Sequence, residues 1–380
     1  MKTLVLGGYG NFGARICRAL AGDAALQLLV GGRDARRAQA LAESLGGGAA
    51  GVAVDFNAPD FSARLRDLGI GLVIHAAGPF QQQSYGVALA AAAAGAHYID
   101  LADGRRFVCD FPVALQTPFA AAGRAGISGA STVPALSSAV IEHLCASWQE
   151  IGSIDICIAP AQTAPIGDAT MKAVLGYCGE PIRVWRNGQW HDERGWAAPQ
   201  RVEFARMRPR LGALCDIPDL ELFPQRYRVR DRVMFRAALE VGLGQRALAL
   251  LAALRGAGLL PGLARLAPLL LRITGALDFL GTGLGGMVVR VAGRDAAARP
   301  AQRAWHIAAD HNHGPEIPCM AAILLARKLA RGEPLPLGAS TAAGLLKLAE
   351  FEPEFARWGM VTDCVSEDAP PAPPDAQAAR

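Results

Sequence analysis

The feature that most constrains this chain is a glycine-spaced turn set against its N-terminus. Thr3 to Leu6 is a short apolar run, Gly7-Gly8-Tyr9-Gly10-Asn11-Phe12-Gly13 follows at once, and Ala14 to Leu20 is apolar at helical spacing. Strand, glycine turn and helix in this order form the opening of a dinucleotide-binding unit. Gly8 allows the tight turn, Gly10 lets backbone approach a pyrophosphate, and Gly13 lets the helix pack on the strand. The helix N-terminus then offers free N–H groups and a positive dipole end to phosphates.

The pattern continues as such a unit requires. Strands are predicted at Leu26 to Val30, Val52 to Phe56, Leu72 to Ala77, His97 to Leu101 and Ile127 to Ala130, with helices at Ala35 to Leu45, Ser62 to Leu68, Tyr85 to Ala94 and Pro118 to Arg124. Alternation at this interval means a parallel, doubly wound sheet of Rossmann type, occupying residues 1–140. Beyond Ser153 the long helices disappear. Alternating runs at Ile154 to Ala159, Ile182 to Trp185, Gln189 to His191, Arg201 to Ala205, Tyr227 to Val229, Val233 to Leu239, Met287 to Ala292 and Ala304 to Ala308 predict a second, α+β domain with a mainly antiparallel sheet, residues 141–312. Asn187-Gly188 supplies a hairpin turn within it.

Residues 245–286 form an apolar insertion in that domain, cut by Arg246, Arg255, Arg265 and Arg272 and by glycines and prolines. No uninterrupted apolar run reaches the ~18 residues of a spanning helix. Amphipathic helices are expected instead, covering the sheet, lining a pocket, forming a homodimer face, or making a peripheral membrane contact. Residues 313–365 should form C-terminal helices, at Ile317 to Ala330 and Ala339 to Leu348, that pack back on the nucleotide domain. The tail 366–380, rich in proline and alanine, is expected to be disordered.

With 52% hydrophobic and 19% charged residues and a net charge of +4 from scattered arginines, the chain is globular and offers no nucleic-acid face. Its eight cysteines lie far apart without a CxxC pair, and no cleavable apolar leader opens the chain, so reduced thiols and a cytoplasmic location are expected.

Two positions bear on which nucleotide is held. In NAD-preferring sheets an acid about 20 residues beyond the glycine turn binds the ribose hydroxyls; here strand two ends Gly31-Gly32-Arg33. A guanidinium suits a 2′-phosphate, so NADP(H) is expected, with Arg36 or Arg37 assisting Arg33. Asp55, after strand three, could meet the adenine side or cap its loop. The small-residue lip Ala76-Ala77-Gly78-Pro79-Phe80 ends strand four at the carboxyl edge, where ligands bind in open α/β sheets.

With these residues in view, the first 140 or so resemble the saccharopine dehydrogenase-like NADP-binding family. The resemblance rests on Gly7 to Gly13, on His75 to Phe80, on Gly95-Ala96-His97-Tyr98-Ile99-Asp100-Leu101, and on Gly129 leading to Pro134-Ala135-Leu136-Ser137. It extends in layout to Gly167-Asp168-Ala169-Thr170 and Gly314-Pro315-Glu316. What it implies is a dehydrogenase or reductase acting with NADP on a C=N, C=C or carbonyl group. The leucine-rich insertion tilts the expected substrate from a charged amino acid toward a small, apolar molecule.

Candidates for the general acid are Tyr98 and Asp100 on one face of strand five, His97 on the other, and Lys172 near the start of a helix in the second domain; each also has a purely structural reading. No tyrosine is followed by lysine four positions later, and neither a GxSxG elbow nor a HExxH helix occurs. His306, Asp310, His311, His313 and Glu316 have no common metal-ligand spacing, and no metal is expected. The rival to an enzyme is a catalytically inactive Rossmann protein that senses NADP or sits on a lipid surface.

Overall fold

The computed structural model describes residues 1–165, 167, 171, 175–260 and 267–367. Six strands, β1 (Lys2–Leu6), β2 (Gln27–Gly32), β3 (Ala50–Ala53), β4 (Leu72–His75), β5 (His97–Asp100) and β6 (Ala125–Ser128), run parallel in the order 6-5-4-1-2-3. Between them lie α1 (Asn11–Leu20), α2 (Ala35–Leu45), α3 (Phe61–Asp67), α4 (Gly86–Ala93) and α5 (Arg105–Ala121). Period-two alternation sends Leu4, Leu6, Val73 and Tyr98 into a core with Phe61, Val87 and Phe111 of α3–α5. Val5, Leu72, Ile74 and Ile99 join Ile16, Leu20 and Ala38 of α1 and α2 on the other face. Strand order reverses between β1 and β4, the switch point at which such sheets hold ligands.

One helix differs from expectation in extent. The sequence suggests Pro118 to Arg124, yet α5 has 17 residues and contains both Pro112 and Pro118. Phe107, Phe111, Leu115 and Phe119 recur every four residues on its buried face, and Phe111 stacks on Tyr98 at 5.8 Å. Packing of that aromatic stripe outweighs the ~3 kcal/mol penalty of an interior proline.

Beyond α6 (Ser137–Leu144) a second sheet is built from β7 (Glu150–Ala159), β8 (Pro181–Arg186), β9 (Gln189–Arg194), β10 (Gln200–Val202), β11 (Arg210–Leu214), β12 (Arg232–Leu239), β13 (Gly285–Arg294) and β14 (Pro300–Ala309). Their pairing is antiparallel except between β12 and β7, so the sheet is mixed. The β8–β9 hairpin turns at Asn187 and Gly188, both at positive φ (52° and 70°), the backbone of a type I′ turn. The helices here are α7 (Asp219–Arg226), α8 (Gly242–Gly256) and α9 (Ala267–Ala276), followed at the chain's end by α10 (Ile317–Ala330) and α11 (Leu348–Arg357). Buried Ile154, Ile156, Val289 and Ile307 share one core with α6 and α10, which packs against α1 and β5. No helix among the described residues is long and apolar enough to cross a membrane.

Besides α10, which packs on α1 and β5, a second element of the C-terminal segment reaches the nucleotide sheet. Ala339 to Leu348 is not a helix: β15 (Gly338–Thr341) pairs in parallel with β6 as a seventh strand. Four residues without a helical apolar period are too short for a stable helix turn and fit a sheet edge. Tyr227 to Val229 is likewise no strand; it follows α7 in a turn with Arg228 at φ 48°. The Arg201 to Ala205 strand stops at Val202, and β11 and the last strand, β16 (Val361–Glu367), have no counterpart in the sequence reading. β16 pairs with β14 through Ser366, where a disordered tail was expected to begin. Residues 368–380 lie outside the described residues.

Candidate dinucleotide site

The glycine turn is held by backbone bonds from Gly8 N to Gly31 O (3.0 Å) and from Gly10 N to Gly7 O (2.8 Å). A Cβ on Gly13 would stand 2.1 Å from Gly7 O, so only glycine lets α1 sit this close to the turn. Asn11 opens the helix; its Oδ1 accepts from Arg15 Nη1 (2.6 Å) and its Nδ2 donates to Pro165 O (3.4 Å) of the second domain. Phe12 packs against the main core, and its carbonyl lies 3.6 Å from Cys319 Sγ on α10.

Beside this turn, Tyr9 organises a basic surface. Its ring occupies the space a Cβ on Gly32 would need, 2.4 Å away, and its hydroxyl accepts from Asp34 N at 3.0 Å. Arg37 places its guanidinium 4.7 Å from the ring centre. Asp34, the one acid here, is exposed and caps α2, accepting from Arg36 N (2.9 Å) and Arg37 N (3.1 Å). Arg33 and Arg36 are exposed and have no ion-pair partner among the described residues, and they line an open groove with Tyr9, Asp34, Ala35 and Arg37. A phosphate on a ribose at the end of β2 would meet arginine donors there, the one carboxylate of the lining, Asp34, being engaged at the start of α2.

A smaller recess of about 260 Å³ adjoins it, lined by Leu6, Gly32, Arg33, Val54, Phe56, Asn57, Ala77, Gly78 and Gln83. Its size and apolar floor suit an adenine ring. Asp55 does not enter it; Oδ1 accepts from Asn57 N (3.0 Å), the loop-capping arrangement. The lip Ala76 to Phe80 is locked by Gln83, whose Nε2 donates to Ala77 O (2.7 Å) and Pro79 O (2.9 Å). Sequence reasoning missed Gln83, because nothing distinguishes it from Gln81 and Gln82 beside it.

The acid–base candidates fall in different places. Tyr98 is fully buried in the aromatic core with its hydroxyl 3.1 Å from His75 Nδ1, and burial keeps its phenol protonated. His75 is boxed by Phe56 and Phe80 at 5.4 and 5.1 Å, and burial lowers its pKa to about 4, so the ring is neutral. Asp100 Oδ1 accepts from Gly129 N (2.8 Å), Ala102 N (3.0 Å) and Ser128 Oγ (3.0 Å), tying the carboxyl ends of β5 and β6 together. Burial lifts its pKa to about 6 against those bonds. His97 begins β5, at the edge of the sheet away from the glycine turn, where Nδ1 accepts from Ala125 N (3.0 Å). Burial and Arg124 hold it near 4. Lys172 and the segment Asp168 to Thr170 lie outside the described residues. Asp103 is exposed just beyond Asp100, accepting from Gln81 Nε2 (3.1 Å).

Two further links join the domains beside this edge. Arg105, buried at the start of α5, donates from Nε to Glu221 (2.8 Å) and from Nη1 to Arg183 O (2.6 Å) and Asp216 (3.1 Å). Asp219 is fully buried and accepts from Ser137 Oγ at 2.6 Å. In the C-terminal cluster the His311 and His313 rings lie 6.2 Å apart, and the other contacts run elsewhere. His306 Nδ1 accepts from Ala205 N, His313 Nδ1 donates to Trp358 O (3.0 Å), and Glu316 pairs with Arg15 (2.9 Å). All eight cysteines are free thiols.

Residues 3–127 match the saccharopine dehydrogenase NADP binding domain. No curated protein matches the chain. Among solved structures, the apo saccharopine dehydrogenase (L-Glu forming) of Saccharomyces cerevisiae superposes with a TM-score of 0.70 at 13% identity, over 97% of this chain and 100% of that one. The homospermidine synthase of Legionella pneumophila, solved with NAD, superposes with a TM-score of 0.62 at 9% identity, over 100% of this chain and 94% of that one. The glycine turn, the arginine groove beside it and these likenesses agree: residues 3–127 are similar to an NADP binding domain of saccharopine dehydrogenase type, and the whole chain has the saccharopine dehydrogenase fold.

Proposed function

We propose that this chain is an NADP(H)-dependent oxidoreductase moving hydride to or from a C=N, C=C or carbonyl group of a small, apolar substrate held between the two domains. The observation that carries the reading is the groove of Arg33, Arg36 and Arg37 around Tyr9, next to a turn in which Gly13 admits no side chain. The bound dinucleotide would supply or accept the hydride, which leaves the chain to bind, orient, exclude water and handle one proton. Tyr98 and Asp100 act in this reading as positioning groups: Asp100 fixes the loops after β5 and β6, and Tyr98 braces β4 through His75. Asp103, exposed at that same edge, and Lys172, which belongs to the second domain in sequence, are the groups assigned to proton transfer. The protein functions as a homodimer in the cytoplasm under this proposal.

The test is a fluorescence titration of the purified protein with NADPH and NADH, followed by NADPH consumption on a panel of imines, enoyl compounds and carbonyls. Tight NADPH binding, weaker NADH binding and turnover on one class support the proposal. Binding without turnover on any class leaves a sensor, and equal affinity for the two nucleotides removes the role of the arginine groove.

A further inference from the structure

The leucine-rich segment is packed on one side only. On α8, buried Gln245 and Ala252 face the second sheet, and Arg255 clamps the helix by donating to Cys178 O (2.9 Å) and pairing with Glu180. The opposite face carries Leu243, Ala247 and Leu250, at helical spacing, with Leu243 66% and Leu250 62% exposed. Leu259, Phe279 and Leu280 are also exposed, so half of the exposed large apolar residues in the described chain fall between Leu243 and Leu280. Two of these groups are tied to one point. Glu240 accepts from Gln162 N (2.9 Å) next to the start of α8, and Gln162 Nε2 donates to Asp278 (3.1 Å) in the turn that bears Phe279.

The charges of this segment have one sign outward. Arg246 and Arg272 are exposed with no ion-pair partner among the described residues, whereas the one acid between residues 241 and 286, Asp278, is spent on Gln162. We infer that α8 and the Asp278–Leu280 turn form a docking surface for an anionic lipid bilayer, lying in its interface with leucines and Phe279 among the acyl chains and the arginines at the phosphates. A second copy of this chain fits less well: a two-fold contact would bury Arg246 against a surface without a carboxylate.

The test uses the full chain with phosphatidylcholine vesicles, with and without phosphatidylglycerol, in a flotation assay. The protein is expected to float with the anionic vesicles and to be released by salt. L243E/L250E/F279E should lower that partition at least about tenfold, and R246E/R272E should abolish the preference for phosphatidylglycerol. NADPH affinity, measured alongside, should stay at the wild-type value in both variants and so separates lost docking from lost folding. Wild-type protein that stays behind, or a triple variant that floats like the wild type while still binding NADPH, overturns the inference. So does a dimer in sedimentation equilibrium that the triple variant dissociates.

Discussion

Two surfaces of this molecule present arginines, and they are built in opposite ways. Arg33, Arg36 and Arg37 stand on a polar scaffold: Asp34 caps the helix beneath them, and Tyr9 fills the space beside Gly32 and lies under Arg37. Arg246 stands on the helix of exposed Leu243 and Leu250, and it and the exposed Arg272 have no ion-pair partner among the described residues. Cations held by a rigid frame select a ligand by shape, because each donor has one direction. Cations on an apolar helix select by charge and depth, because their stems move with the surface they meet. The same side chain thus takes its role from what lies under it.

The largest effect that would break this contrast lies below the first surface. Gly13→Val forces a Cβ into Gly7 O, and NADPH affinity should fall at least about 100-fold, or the soluble protein be lost, since overpacking costs of this kind reach ~3 kcal/mol. Arg33→Ala should weaken NADPH by roughly tenfold and leave NADH unchanged in the same titration, as expected for one charge-assisted contact. A change belonging to neither surface sharpens the contrast by testing the joint between domains. Burial raises Asp219 from 3.8 to about 8. The folded chain therefore keeps a proton that the unfolded chain releases, so the contribution of this group to stability is full below pH ~4 and falls as pH rises through ~8. Asp219→Asn should melt with less loss between pH 5 and 8 than the wild type; parallel melting curves would refute the assignment. Smallest is Arg37→Gln, which removes an exposed cation–π contact of ~0.5–1 kcal/mol; NADPH affinity should drop no more than about fivefold, well short of Arg33→Ala.

The parallel sheet was legible because each of its elements is local: short apolar runs, a glycine turn and helices of their own period. What was not legible depends on distant partners. β15 is four residues that become a strand only because β6 offers an open edge, and α5 runs through two prolines only because Phe107, Phe111 and Phe119 have a core to enter. The residues of the proposed cofactor site divide in the same way. Gly8, Gly13 and Arg33 announce themselves by spacing, whereas Gln83 acts through carbonyls that only the folded lip brings within reach. Tyr98 and Asp100 carry the right chemistry at the right strand end, yet they point beneath the surface, a distinction that alternation alone does not make.

The seventh strand of the nucleotide sheet has a consequence for how the protein is made. Because Gly338–Thr341 closes the sheet beside β6, the first domain leaves the ribosome with an open edge some two hundred residues before its last strand arrives. The nucleotide-binding domain is begun before the second sheet and completed after most of it. Its finished form certifies that the chain has been read past Thr341, and a product cut short of that strand would betray itself by an uncovered β6, the kind of edge on which chains aggregate.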